Sequence, residues 1–181
     1  RKNYGFFRKF IGYVPQDDLL FANLSVYENV YFNLRLRLPQ IKDPAQIKAR
    51  IDNLLRRVGL FEQRDMIVGD VMNKRLSGGQ RRRLNIALEL VSNPMIIILD
   101  EPTSGLSSKD SENIAGFLAE LKEQGKIILC TIHQPNATIL KQFDRVLLMD
   151  VGGTQVFNGD TESVFTYFDD ELASSGTESQ K

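Results

Sequence analysis

The segment 76–80, with the sequence Leu-Ser-Gly-Gly-Gln, constrains the fold of this 181-residue chain more than any other segment. Ser77 is a helix N-cap residue, and Gln80 three positions later completes a capping box, so a helix is expected to begin here with unpaired backbone N–H groups. Gly78 and Gly79 lack side chains, so an anion can approach those N–H donors at the positive end of the helix dipole. Taken alone, the segment also fits a Ser-capped helix that follows a glycine turn.

An apolar run at residues 96–99 ends in two adjacent carboxylates, Asp100 and Glu101. Such a run predicts a strand buried in a parallel sheet. Ligands of open α/β sheets bind beyond the carboxyl ends of the strands, where these two side chains are expected. Asp100 is therefore a candidate Mg²⁺ ligand, and Glu101 a candidate general base for an attacking water. The alternative is a loop carboxylate that caps the next helix.

These segments resemble a known family. Residues 76–80 are similar to the signature motif of ATP-binding cassette (ABC) proteins, and residues 96–101 resemble their Walker B strand with its catalytic glutamate. Residues 10–17 resemble the strand and Q-loop of the same family, which implies that Gln16 contacts Mg²⁺ and the attacking water and couples them to a transport partner. The resemblance places the three motifs in the family's order and spacing.

A further apolar run at residues 126–132 leads to His133, the single histidine of the chain. A lone histidine after a strand is often a surface or core residue, but the resemblance implies that His133 contacts the γ-phosphate of ATP. The site implied by the family has three parts. The catalytic residues are Glu101, His133 and Gln16; the Mg²⁺ ligands are Asp100 and Gln16; and Ser77, Gly78, Gly79 and Gln80 bind the phosphate of an ATP held by a neighbouring molecule. Phosphoryl transfer depends mainly on placement and charge stabilisation, which such a set supplies.

The resemblance implies an α/β fold: an incomplete P-loop NTPase (RecA-like) parallel sheet with an inserted helical subdomain. We expect residues 1–16 to hold the Q-loop strand of the ATPase core, and 17–93 to form the helical signature subdomain. Residues 94–172 are expected to complete the core with Walker B, the D-loop and the H-loop, and 173–181 to be a disordered tail or linker. Strands alternating with helices after residue 94 are typical of such a sheet.

Local signals predict where the other elements lie. A capping box at Ser25 starts a helix that ends by Pro39, and Asp43 with Pro44 starts another that ends at Gly59. The remaining elements are a helix capped by Ser107 or Ser108 and stopped by Gly125, a short edge strand at 154–159, and a final helix at 162–172.

Cassette ATPases also carry a G-x-x-x-x-G-K-[ST] loop ahead of the Q-loop, and no stretch of this sequence fits it. We therefore interpret the chain as a fragment whose parent carries that loop, and expect the fragment to bind ATP weakly or not at all and to be inactive. In the family a further strand lies between the strand leading to His133 and the strand at 145–150. Without it, unpaired edges would favour self-association by strand exchange.

Several local strings, including residues 24–29, 36–39 and 131–135, resemble the G subfamily of white-type half-transporters. This implies a domain on the cytoplasmic face of a membrane, joined to a membrane-spanning transporter domain and closing with a second nucleotide-binding domain as an ATP-loaded dimer. Ser107 departs from the family, which usually places an aspartate there. A soluble cassette ATPase acting on DNA or ribosomes and a non-catalytic interaction module stay open as alternatives.

Composition adds constraints on partners. Lysine plus arginine and aspartate plus glutamate number 23 each, so the charge balance gives no support to nucleic-acid binding. The triplet 81–83, three arginines, is interpreted as a solvated helix face with one arginine packed towards the Q-loop. The single cysteine, Cys130, is expected to be a small core residue. No apolar run reaches the roughly 18 residues of a membrane-spanning helix, so membrane contact would belong to a partner domain.

Overall fold

The computed structural model describes residues 7–69 and 75–168, and its contacts divide the chain into two compact units, residues 1–133 and 134–181. The first unit contains a parallel sheet of three strands in the order β1 (Ile11–Val14), β2 (Ile96–Leu99) and β3 (Ile127–Cys130). Its helices are α1 (Val26–Arg37), α2 (Pro44–Arg57), α3 (Gly78–Leu90) and α4 (Ser108–Glu123), and a 3-10 turn spans Arg8–Phe10.

The sheet ladder continues past the strand ends and sets the register of the loops that follow. Ile11 pairs with Ile96, which in turn pairs with Ile127. Beyond the strands, the Asp100 N–H donates to the Val14 carbonyl at 2.9 Å, and the Thr131 N–H donates to the Leu99 carbonyl at 3.1 Å. The first residues after β2 and β3 are therefore held side by side at one edge of the sheet.

The predicted helix starts are confirmed. Ser25 and Ser77 each form a complete capping box, with Glu28 and Gln80 as the reciprocal partners. Asp43 caps α2, with Pro44 as its first residue. Ser107, not Ser108, caps α4 through a hydrogen bond accepted from the Asp110 N–H. Gly125 follows α4 with a φ of +84°, a conformation that favours glycine after a helix end.

The core of the first unit is built from the inward faces of all four helices and β1 and β2. Its largest fully buried side chains are apolar and come from widely separated segments. They include Val14, Leu34, Ile51, Leu55, Leu60, Leu76, Leu84, Ile86, Ile97, Leu99, Ile114 and Leu121. The end of the sheet that carries Asp100 is therefore supported by a close-packed hydrophobic core.

The second unit contains a short helix, α5 (Ala137–Leu140), and an antiparallel pair, β4 (Arg145–Met149) and β5 (Gln155–Asp160). The predicted edge strand at 154–159 thus corresponds to β5. Residues 161–168 are helical, in agreement with the predicted final helix, whose remaining residues 169–172 lie outside the described part of the chain.

The predicted fold class is confirmed as α/β with a parallel sheet. All three helices of the stretch 17–93 described here belong to the first unit. Contacts divide the chain after His133, whereas the sequence suggested a boundary near residue 93, and the predicted domain boundaries stay a prediction. No helix among the described residues is both long and apolar enough to cross a bilayer.

Desolvation of the thiol at the end of β3 makes Cys130 a poor nucleophile, and this yields a first prediction. Desolvation raises the pKa of the Cys130 thiol from 9.0 to about 12. At pH 8 we expect alkylation of the folded chain to be about a thousand-fold slower than in urea, because the thiolate is the reactive form. Because the pKa is raised by folding, Cys130 also favours unfolding as pH rises from 9 towards 12. Equal labelling rates in buffer and urea would contradict this burial.

Candidate nucleotide site

Side chains from all three strand ends converge at the carboxyl edge of the parallel sheet. Gln16 follows β1, Asp100 and Glu101 follow β2, and Thr131 follows β3. The Gln16 side-chain amide donates to Glu101 Oε2 at 3.0 Å. Thr131 donates its hydroxyl to Asp100 Oδ1 at 2.7 Å and accepts from the Glu101 backbone N–H at 2.9 Å. The structure therefore brings three of the predicted site residues, Gln16, Asp100 and Glu101, into one hydrogen-bonded cluster.

Asp100 sits at the centre of this cluster. Its second carboxylate oxygen accepts a long hydrogen bond from the Tyr13 hydroxyl at 3.4 Å. Both of its oxygens keep acceptor capacity, and the side-chain carbonyl oxygen of Gln16 is another hard donor in the cluster. Among the described residues no group of three or more His, Cys, Asp or Glu side chains could hold a metal. Mg²⁺ needs no such group, since it combines one or two carboxylates with water and phosphate oxygens, so this donor set fits it.

Glu101 has a left-handed backbone, with a φ of +43°. Such a conformation costs a non-glycine residue about 1–3 kcal/mol, so neighbouring contacts must hold it in place. Two contacts do so here: the backbone N–H is held by Thr131 and the carboxylate by Gln16. Strain of this kind clusters at functional sites.

His133 is exposed and makes no hydrogen bond or ion pair with any described residue. It stands two residues after Thr131, so its Cα lies within about 7 Å of the Thr131 Cα by chain geometry alone. Gln134, the next residue, has a φ of +51°. The backbone of His133 is thus held near Thr131, and its predicted contact with a γ-phosphate stays a prediction.

The start of α3 has the predicted capping geometry. Ser77 Oγ accepts from the Gln80 N–H at 3.1 Å, and Gln80 Oε1 accepts from the Ser77 N–H at 2.9 Å. Ser77 and Gly78 are exposed, whereas Gly79 is buried. Among the described residues no hydrogen bond links this helix start to Gln16, Asp100 or Glu101. Its predicted role, binding the phosphate of an ATP on a neighbouring molecule, stays a prediction.

The arginine triplet corrects the sequence interpretation of a solvated helix face, because Arg81 and Arg82 are buried, at 8% and 7% exposure. Arg82 donates to the carbonyls of Pro15 and Gln16, both at 2.9 Å, so the expectation of one arginine packed towards the Q-loop is met. Arg81 forms an ion pair with Asp18 at 2.6 Å. These acceptors lie more than 60 residues away in the sequence, which is why helix periodicity did not reveal them.

Sequence reasoning missed two residues of the cluster, Thr131 and Tyr13. Thr131 was hidden because a threonine after a strand is common, and its role depends on the pairing of β3 with β2. The sequence feature that could have revealed it is its position: Thr131 is the first residue after β3, as Asp100 is the first residue after β2. Burial lowers the pKa of the Arg82 guanidinium, and the nearby carboxylates of Asp18 and then Asp17 oppose that shift.

Comparison with known proteins decides the family. A sequence profile described as ABC transporter matches residues 1–104 of the chain. The chain belongs to the ABC transporter family. A solved structure of cbiO1 from Clostridium perfringens, described as part of the ABC transporter complex cbiONQ, has 34% sequence identity and a TM-score of 0.76. The likeness covers 92% of this chain and 63% of that one, and it confirms the P-loop NTPase type of fold.

Curated relatives assign this ABC chain to the G subfamily as a nucleotide-binding domain. "ABC transporter G family member 28" of Arabidopsis thaliana is 39% identical over 163 residues, which is 90% of this chain and 15% of that protein. "Broad substrate specificity ATP-binding cassette transporter ABCG2" of Rattus norvegicus is 37% identical over 157 residues, or 87% of this chain and 24% of that protein. The chain therefore spans less than a quarter of the length of these relatives.

Proposed function

We propose that this ABC domain forms the γ-phosphate side of an ATP site shared between two nucleotide-binding domains, and that ATP hydrolysis there drives movement of a substrate across a membrane. The hydrogen bond from the Gln16 amide to the Glu101 carboxylate carries the proposal. It joins the segment after β1 to the candidate base, and Thr131 ties the same glutamate to Asp100.

Each residue has a separate task in the proposed reaction. Glu101 accepts the proton of the attacking water, as a general base must lie within hydrogen-bond reach of the proton it removes. Gln16 orients that carboxylate and the water, and His133 donates a hydrogen bond to the γ-phosphate. On the facing molecule, Ser77, Gly78, Gly79 and Gln80 surround the same phosphate at the helix start, where the capping box leaves the N–H groups of Gly78 and Gly79 as the backbone donors.

Asp100 and Gln16 are the residues that would hold Mg²⁺. The ion would neutralise charge that develops on the phosphate oxygens during transfer. Thr131 fixes the Asp100 carboxylate through its hydroxyl, so the ligand is oriented before any ion arrives.

The experiment that tests this function compares the full-length protein with the 181-residue chain. We expect the full-length protein in liposomes to hydrolyse ATP in Mg²⁺ and to lose that activity in EDTA. The chain alone is expected to bind ATP weakly or not at all and to show no turnover, because no part of its sequence fits the phosphate-cradling Walker A loop. Turnover by the chain alone that Glu101→Gln abolishes would contradict the second expectation.

ATP binding without hydrolysis by the full-length protein would instead favour the non-catalytic interaction module. Hydrolysis without any transport activity would favour a soluble type of cassette ATPase.

A groove beside the Gln16 segment supports a membrane-spanning partner. It has a volume of about 110 Å³ and lies between the end of β1, the loop after it, α1 and α3. Three large apolar side chains line it while exposed to solvent: Phe21 at 64%, Phe32 at 46% and Leu36 at 82%. The side-chain oxygen of Asn33, in the same lining, is buried and lacks a hydrogen-bond partner among the described residues.

We infer that this groove takes a helix from the membrane-spanning part, on the cytoplasmic face of the membrane. An apolar helix face would cover Phe32 and Leu36, and a donor on that helix would satisfy Asn33. Motion of the helix would reach Glu101 through Gln16, because Pro15 lines the groove and Gln16, the next residue, donates to the Glu101 carboxylate.

A charge placed in the groove should abolish transport by the full-length protein. We expect Leu36→Asp in the full-length protein to abolish transport in a vesicle assay while the domain stays folded, because the partner helix would have to bury an unpaired carboxylate. Met95→Asp is the matched control, since Met95 is also exposed but lies at the start of β2. Equal transport by the two variants would contradict the assigned surface.

The edge of the parallel sheet supports the proposed self-association of this chain. Within the described strands of its sheet β3 has a neighbour on one side alone, and Ile127 and Leu129 on it are about half exposed. We expect light scattering of the chain at high concentration to give a mass above that of a monomer, through strand exchange or edge pairing. Leu129→Lys should shift the mass towards the monomer. A clean monomer mass for the unaltered chain would contradict the proposal.

A further inference from the structure

Asp110 lies in the first turn of α4, and its side chain is held in place by the helix cap. Its N–H donates to Ser107 Oγ at 3.1 Å, and the Ser107 hydroxyl donates to Asp110 Oδ2 at 2.9 Å. One carboxylate oxygen is therefore fixed by the loop that follows Glu101. The other oxygen, Oδ1, lies beside Gly79.

The Oδ1 side of this carboxyl group packs on the signature segment, residues 76–80. A Cβ built on Gly79 would lie 2.6 Å from Asp110 Oδ1 and 2.8 Å from its Cγ. A Cβ on Gly78 would lie 3.1 Å from Leu106 in the same loop. Real Cβ atoms essentially never come within 3.0 Å of another heavy atom, so Gly79 must be a glycine while Asp110 keeps this position. The absence of side chains at Gly78 and Gly79 therefore makes room for the residues that follow β2, as well as for a phosphate.

We propose that Asp110 is a positioning residue that holds the start of α3 against the loop carrying Glu101. The signature segment and the base of one molecule, which belong to two different shared sites, are then fixed relative to each other through Ser107, Asp110 and Gly79. The effect on ATP turnover rests on the proposed function, whereas the mechanical link does not.

The same contact accounts for Ser107, where the family usually places an aspartate. The Ser107 hydroxyl donates to the Asp110 carboxylate, a bond that an aspartate at position 107 could not make when ionised. Two carboxylates would then face each other at hydrogen-bond distance and repel. The negative charge of this loop is thus carried one helical turn further on, at Asp110.

Hydrogen exchange tests the mechanical link without ATP. In the nucleotide-free full-length protein we expect Asp110→Ala to speed exchange of the amides at residues 78–81, about 10-fold or more, because local protection follows local packing. Glu112→Ala is the matched control, an exposed acid in the same turn of α4, and should leave those amides unchanged. Faster exchange confined to residues 108–112 would show that Asp110 stabilises only the start of α4, and would overturn the proposal.

A double-mutant cycle tests the contact with Gly79. Gly79→Ala should perturb exchange at the start of α3 strongly beside Asp110, and much less in an Asp110→Gly background, where the added methyl group has room. Residues in contact give non-additive effects, whereas separate sites add. Additive changes in exchange would overturn the proposal.

Exchanging the two residues tests the role in turnover. We expect Ser107→Asp alone to lower ATP turnover of the full-length protein about 10-fold, and the swap Ser107→Asp with Asp110→Ser to restore it, since aspartate is also a good N-cap. If the Ser107→Asp variant turned over ATP as fast as the unaltered protein, the proposal that Asp110 carries the negative charge of this loop would be overturned. If the unaltered protein hydrolyses no ATP, the proposed function fails, and the exchange experiments still decide the link.

Discussion

Replacing Glu101 with glutamine should reduce ATP turnover of the full-length protein at least about 100-fold while ATP binding is retained. General base catalysis contributes about 10²–10⁴-fold, and glutamine has no basic group to accept the proton of water. The amide oxygen of the introduced glutamine can still accept from Gln16, so the left-handed backbone and the surrounding cluster should persist. The loss should therefore appear in kcat, with little change in the affinity for ATP.

Turnover should be measured in single-turnover and steady-state assays with saturating Mg-ATP, and binding with a fluorescent ATP analogue. Glu120→Gln, an exposed carboxylate on α4, is the matched control and should behave like the unaltered protein. A fall of less than about 10-fold for Glu101→Gln would show that another group acts as base, because proton transfer by the true base is worth more.

Replacing Arg82 with alanine should destabilise the chain much more than replacing its neighbour Arg83. The guanidinium is buried and donates to the Pro15 and Gln16 carbonyls, so its loss leaves two acceptors unpaired and a cavity between α3 and the Gln16 segment. Hydrogen bonds of charged groups contribute about 1.5–3 kcal/mol each, and we expect the free energy of unfolding to fall by about 3 kcal/mol. In the full-length protein, turnover should also fall because Gln16 is released.

Urea unfolding of the chain measures the first effect. Arg83→Ala is the matched control: Arg83 is the neighbouring arginine, half-buried, without a hydrogen bond or ion pair to the described residues. It should lower the free energy of unfolding by less than about 1 kcal/mol. Arg82→Lys should not restore stability, because an ammonium group lacks the planar fork that reaches both carbonyls. Equal losses for Arg82→Ala and Arg83→Ala would contradict the assigned contacts.

Local chemistry in the sequence predicted much of the fold. Capping boxes at Ser25 and Ser77 depend on residues three positions apart, so their patterns specify helix starts without knowledge of the rest of the chain. The strands β2 and β3 were visible as apolar runs for a similar reason. The placement of Asp100 and Glu101 at a strand end followed from the general geometry of parallel sheets.

Contacts between distant segments could not be predicted in this way. Arg81 and Arg82 are polar, and the acceptors that allow their burial come from residues 15–18 and 68–69. Helix α3 packs against α1, α2, α4 and β1, so ten of its thirteen residues are buried and no single apolar face exists. The packing of Asp110 on Gly79 likewise depends on how α3 and α4 meet, which the sequence of neither helix specifies.

The central claim is that Gln16, Asp100, Glu101 and His133 face the γ-phosphate of an ATP whose other side touches residues 77–80 of a second copy or a paired domain. A structure of the full-length Glu101→Gln protein with Mg-ATP tests it most directly. We predict one γ-phosphate within hydrogen-bond distance of His133 and Gln16 from one nucleotide-binding domain and of Ser77 and Gly79 from the facing domain. A γ-phosphate bound away from the cluster of Gln16 and Asp100, or contacted by the signature segment of the same domain, would contradict the claim.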